Sequence, residues 1–240
     1  MKILACGAHP DDVEIACGAT LARAIFEGHS VEILDLTRGE LGSNGDPKLR
    51  AEEADKAGHI LGVTSRQQAG LPDGALNARD ESQRRQVVEW LRHFSPDLLI
   101  IPARENRHPD HDQAHLLLKE GSFLAGLKHY EAKGRAMRPR VVYETMERRL
   151  FRPDFVVDVG SFREKKELAL RAYKSQFIRD EGQAETLIND PAFLESIRSR
   201  DKFFGELAGC EWGEPFKAVE LMRVDRISAL LPGERNLVNE

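Results

Sequence analysis

The chain has 240 residues, of which 41% are hydrophobic and 31% charged, with a formal net charge of −5. That is the balance of a globular enzyme long enough to bury a full core, and with no basic block it excludes a nucleic-acid binder. No stretch approaches the roughly 20 apolar residues that span a bilayer, and the N-terminal apolar run stops at His9, short of a signal-peptide core, so the expected location is cytoplasmic. Cys6, Cys17 and Cys210 form neither a CxxC pair nor an even disulfide framework, and Cys6 and Cys17 read as small core residues.

Taken in order, Ile3 to Ala8 reads as a buried strand and Val13 to Glu27 as a helix closed by Gly28. Val31 to Thr37 is a second strand, followed by a glycine-rich loop from Gly39 to Leu49. Arg50 to Leu61 is a helix stopped by Gly62, and a short strand precedes Leu71-Pro72-Asp73-Gly74. Glu81 to Phe94 is amphipathic, with Val87, Val88, Leu91 and Phe94 on one side. Leu98 to Ile101 is the next strand, and a helix runs from about His111 to Phe123. Strands and helices alternating at this spacing predict an α/β fold, Rossmann-like and doubly wound, with a mainly parallel sheet and helices on both faces.

The second half is less regular. Val141 to Tyr143 and Phe155 to Val159 are expected strands, Phe162 to Lys174 and Pro191 to Leu207 expected helices, and Lys217 to Met222 an expected last strand. Tyr173, Phe177 and Phe155 read as core. With no repeat or linker, the expectation is one domain over 1–240, with a disordered tail after about residue 232.

Chemistry enters through a motif used twice. His9-Pro10-Asp11-Asp12 follows the first strand, and His108-Pro109-Asp110-His111 follows the Leu98 strand. In open α/β sheets ligands bind beyond the carboxyl ends of the strands, so both motifs are expected in one crevice. A catalytic zinc takes three protein ligands and leaves one position open. His9, Asp12 and His111 would supply two imidazoles and a carboxylate, a set that also accepts Fe2+ or cobalt. Asp11 could take a proton from water. His108, held protonated and oriented by Asp110, could stabilise an oxyanion or protonate a leaving amine.

The ordinary reading of these aspartates is helix capping, since Asp11 to Glu14 and Asp110 to Gln113 both fit a D-x-x-E/Q capping box. Capping does not explain why histidine and aspartate recur together at two strand ends. Asp35 sits where a dinucleotide fold places its ribose acid, but the first turn lacks G-x-G-x-x-G, which argues against a nucleotide. Gly39, Gly42 and Gly45 would let the second loop close over a substrate. Arg50, at the start of a helix where its charge opposes the macrodipole, suggests pairing with a carboxylate or sugar hydroxyls. Arg104, Arg107 and Lys174 would add positive charge around an acidic substrate group.

AHPDDVE together with HPDH resembles the signature of the LmbE-like, or PIG-L, family of zinc-dependent N-acetylglucosamine deacetylases. The stretches Thr37-Arg38-Gly39-Glu40 and Ala172-Tyr173-Lys174-Ser175-Gln176-Phe177 further resemble the bacillithiol-biosynthesis branch, which deacetylates N-acetylglucosaminyl L-malate. The resemblance implies zinc ligands at His9, Asp12 and His111, a general base at Asp11, an acid or oxyanion stabiliser at His108 and a substrate-binding arginine at Arg50. Glu40, Gly42, Ser43 and Lys174 are expected to complete the substrate site. A homo-oligomer, often a hexamer, is also implied, with one Zn2+ per chain and a small-molecule N-acetyl amino sugar as the partner. Deacetylation of another N-acetyl sugar conjugate is the first alternative. A metal phosphoesterase and a non-enzymatic binding module come after it.

Overall fold

The computed structural model describes residues 1–104 and 107–227; the expected disordered tail lies outside the described residues. Five strands run parallel: β1 (Lys2–Gly7), β2 (Ser30–Asp35), β3 (Ser65–Gln68), β4 (Leu98–Pro102) and β5 (Val141–Thr145). β6 (Phe155–Asp158) and β5 flank β7 (Gly213–Ala218), which is antiparallel to both. The sheet order is β3-β2-β1-β4-β5-β7-β6, so the winding reverses between β1 and β4.

Alternation along each strand divides the core. Ile3, Ala5, Val31, Ile33 and Ile100 face one layer, built with α1 (Asp12–Phe26), α2 (Pro47–Leu61), α5 (Arg163–Leu170), α6 (Lys174–Phe177) and α7 (Pro191–Ala208). Leu4, Cys6, Leu34, Leu99 and Ile101 face the other, built with α3 (Glu81–Phe94) and α4 (Pro109–Ala125). Helices on both faces and the mainly parallel sheet agree with the doubly wound, Rossmann-like expectation. No helix among the described residues is long and apolar enough to cross a membrane.

Three expectations need correction. α2 begins at Pro47 because Asp46 caps it, its Oδ1 accepting from Leu49 N–H at 2.8 Å, so Arg50 lies inside the helix and not at its opening. The helix expected from Phe162 to Lys174 is broken after Leu170, where Tyr173 turns into the core and its hydroxyl donates to Glu14 at 3.0 Å. The last strand is Gly213–Ala218, four residues early, because the buried and paired Glu214 disguises the apolar alternation.

Candidate metal centre

The β1 and β4 carboxyl ends meet at the reversal of the winding, and both His-Pro-Asp motifs line one crevice of about 560 Å3 there. The β1 motif turns sharply into α1. Asp11 sits at φ 109°, a left-handed conformation that costs a non-glycine residue roughly 1–3 kcal/mol and persists only where surrounding contacts impose it. Those contacts come from the buried Arg50, which donates through Nη2 to Pro10 O at 2.8 Å and to Asp11 Oδ2 at 3.3 Å, and through Nη1 to Gly39 O at 2.9 Å.

Three donor atoms form a triangle. His9 Nδ1 lies 3.2 Å from His111 Nε2 and 3.6 Å from Asp12 Oδ2, and the remaining edge, from His111 Nε2 to Asp12 Oδ2, is 3.4 Å. Bonds of about 2.0–2.2 Å in tetrahedral geometry separate their donors by roughly 3.3–3.6 Å. The residues therefore fit a small divalent ion without rearrangement. The other nitrogen of each histidine faces a carboxylate: His9 Nε2 lies 3.0 Å from Asp73 Oδ1 and 3.4 Å from Asp110 Oδ2. His111 Nδ1 meets Glu147 Oε2 at 2.6 Å, in a charge contact rather than an aligned hydrogen bond. Carboxylates behind ligating histidines fix the tautomer and raise ligand basicity.

The buried groups of the crevice shift one another's titration. Burial alone would raise the Asp12 carboxyl, but His111 and His9 hold it well below the usual range. Burial likewise opposes protonation of His111, yet Asp12 and Glu147 lift it to about 9. Asp11 is different: burial, opposed by Arg50, pushes its carboxyl up to about 8. A buried carboxyl titrating near neutrality has the affinity required to accept and return a proton.

The capping readings are not realised. Asp11 makes no side-chain cap bond, and Glu14 pairs instead with Arg66. Asp110 accepts from Gly74 N–H at 2.7 Å and Leu76 N–H at 3.2 Å, binding the Asp73 turn to the site. α4 is capped by His108, whose Nδ1 accepts from Asp110 N–H at 3.3 Å, so the Asp110 main chain, not its carboxylate, orients that ring. Burial, with His9 and His111 nearby, lowers the His108 pKa below its usual 6.5. With Nδ1 accepting from the main chain, Nε2 is the ring nitrogen left to donate into the crevice.

Of the expected substrate residues, Arg50, Gly42 and Ser43 line the crevice. Glu40 does not line it; its carboxylate accepts from Asp73 N–H at 3.0 Å and Arg38 N–H at 3.1 Å, bracing the loop. Lys174 is exposed outside it, and Gln176 of the same short helix lines the crevice instead. Arg107, Arg148, Ile188 and Phe193 also line it. Sequence reasoning assigned no role to Asp73 or Glu147. Asp73 lies in the quoted Leu-Pro-Asp-Gly stretch, a signal that was present, whereas Glu147 follows β5 with no local pattern around it.

Fold and site together define a Rossmann-like protein with a histidine–carboxylate centre at the switch point of its sheet. Residues 4–121 match the PIG-L family, described as GlcNAc-PI de-N-acetylase. The chain belongs to this LmbE-like, or PIG-L, deacetylase family. It is 26% identical to a diacetylchitobiose deacetylase of Thermococcus kodakarensis, over 91% of this chain and 83% of that one. It is 31% identical to a mycothiol S-conjugate amidase of Streptomyces coelicolor over 60% of each. Among solved structures, a conserved protein from Thermus thermophilus superposes with a TM-score of 0.84 at 35% identity, covering 93% of this chain and 97% of that one.

Proposed function

We propose that this protein is a zinc-dependent N-deacetylase, with one Zn2+ per chain, that removes the acetyl group from N-acetylglucosaminyl L-malate. The observation that carries the metal hydrolase reading is the His9–Asp12–His111 triangle with the buried Asp11 carboxyl beside it. His9, Asp12 and His111 would hold a divalent ion, which when bound would supply a Lewis acid for the acetyl carbonyl and lower the pKa of water toward ~7.

The chain's own groups do the rest. Asp11, held by Arg50, takes a proton from the attacking water as its oxygen bonds to the acetyl carbon. His108 donates from Nε2 to the oxyanion that develops there. As the carbon–nitrogen bond breaks, Asp11 returns its proton to the departing amine, giving acetate and a free amino sugar. Asp73 keeps the His9 ring in the required tautomer, and the Glu147 carboxylate holds negative charge against Nδ1 of His111.

Support for the malate conjugate is the branch-like pattern of the glycine loop and of Ala172–Phe177, together with Arg107 and Arg148, which line the crevice and suit an anionic substrate group. The relatives named for diacetylchitobiose and for mycothiol conjugates support the alternative, another N-acetyl sugar conjugate. Acetate release from N-acetylglucosaminyl malate, N-acetylglucosamine and diacetylchitobiose, each with and without chelator, separates these. A strong, chelator-sensitive preference for the malate conjugate is expected. Preference for another sugar would keep the chemistry and discard the substrate, and no acetate from any would reject both.

A further inference from the structure

α1 is not one helix. Cys17, at φ −148° and ψ 22°, breaks it after its first turn. In a continuous helix the N–H groups of residues 19 and 20 pair with the carbonyls of 15 and 16. Here charged side chains from distant elements serve all four. Ala19 and Thr20 N–H donate to the Glu214 carboxylate at 3.2 and 2.7 Å, while the Ile15 and Ala16 carbonyls accept from Arg200 Nη2 at 2.9 and 3.4 Å. Glu214 and Arg200 are joined by a buried chain of alternating charge: Lys166 Nζ reaches Glu214 at 2.6 Å and Asp201 at 2.7 Å, and Asp201 accepts from Arg200 Nε at 2.8 Å.

The break separates a short fragment, which carries Asp11 and Asp12, from the rest of the helix. Arg200 holds the end of that fragment with one arm of its guanidinium. The other arm, Nη1, donates to the Met146 carbonyl at 2.5 Å and the Glu147 carbonyl at 2.7 Å. Glu147 in turn faces His111. One planar cation thus spans the backbones behind both sides of the metal triangle, Asp12 on one side and the His111 partner on the other. A guanidinium can fix two backbone segments at a set separation because its donors lie in a rigid fork, which an ammonium lacks.

We propose that Arg200 is a positioning residue for the metal centre, setting the Asp12 fragment against Glu147–His111. The proposal rests on the metal reading above. Its test compares Arg200→Gln and Arg200→Lys with Arg92→Gln. Arg92 is a buried arginine of the same kind on the opposite layer, donating to the carbonyls of Ala125, Leu127 and Ala132 with no contact to the centre. Zn2+ affinity is measured by competition with a chromogenic chelator, the visible spectrum of the Co2+-substituted protein reports ligand geometry, and melting of the metal-free proteins reports stability.

Arg200→Gln should weaken Zn2+ at least tenfold and change the Co2+ spectrum. Arg200→Lys should fall between, and Arg92→Gln should lose melting temperature while keeping wild-type affinity and spectrum. Wild-type affinity and spectrum in Arg200→Gln would overturn the proposal whatever its stability, and so would an equal loss of affinity in Arg92→Gln. If Arg200→Gln does not fold, Arg200→Lys decides by the same two readouts. A wild-type protein that binds no metal would instead defeat the metal reading, and this inference with it.

Discussion

Replacing Glu147 tests the carboxylate support of the centre. Both the His111 and Glu147 side chains are under a tenth exposed, and their closest atoms are 2.6 Å apart. When Nε2 of His111 serves as a ligand, Nδ1 must keep its proton, and the carboxylate it faces is Glu147. Losing a partner of this type weakens metal binding by about 10–100-fold, or roughly 1.4–2.8 kcal/mol. Glu147→Gln keeps the shape of the side chain and removes the charge on which the contact depends, so it should cost at least tenfold. Glu147→Ala removes the charge and the side chain together and belongs at the hundredfold end. Competition with a chelating dye measures both affinities, and acetate release should recover toward wild type as Zn2+ is raised to saturation. Affinity within twofold of wild type in both variants would refute the argument.

Other predictions follow from the same geometry. Asp11→Asn should retain metal while turnover falls by about 10²–10⁴-fold, whereas Asp12→Ala should lose the metal itself; metal analysis beside kcat distinguishes them. Gly39 has φ +65°, and a Cβ there would run into the Arg50 guanidinium. Gly39→Ala therefore adds roughly 1–2 kcal/mol of backbone strain and loosens Arg50 from Asp11, so kcat should fall more steeply than thermal stability. In the chelated protein, the folded-state pKa values of His111, about 9, and Asp11, about 8, lie above their ordinary ones. Each raised value stabilises the fold at low pH and loses that contribution as pH climbs through it, so the melting temperature should decline from pH 6.5 to 9; a flat or rising profile would contradict these environments.

Much of this molecule was legible in its sequence where local pattern and chemistry coincide. Short apolar runs ending in His-Pro-Asp located the strand ends, and the parallel sheet brought those ends together. Residues set by longer-range geometry were harder to read. Glu147 lies 36 positions from His111 and is brought beside it only by pairing of β4 with β5. Lys174 and Gln176 are two residues apart, about 200° around a helix, so an error of two positions moves the expected contact to the opposite face. Asp110 stands two residues from His108, yet its carboxylate turns to the Asp73 loop, whose approach no local pattern announces. The break in α1 was equally hidden, because the groups that stabilise it come from α7 and β7.

The central claim, one metal ion held by His9, Asp12 and His111 and required for deacetylation, is tested most directly by titrating Zn2+ into chelated protein while measuring acetate release. Activity should start near zero, rise linearly and level off at one equivalent per chain. Activity that survives chelation, or that levels off only at two equivalents, would contradict it.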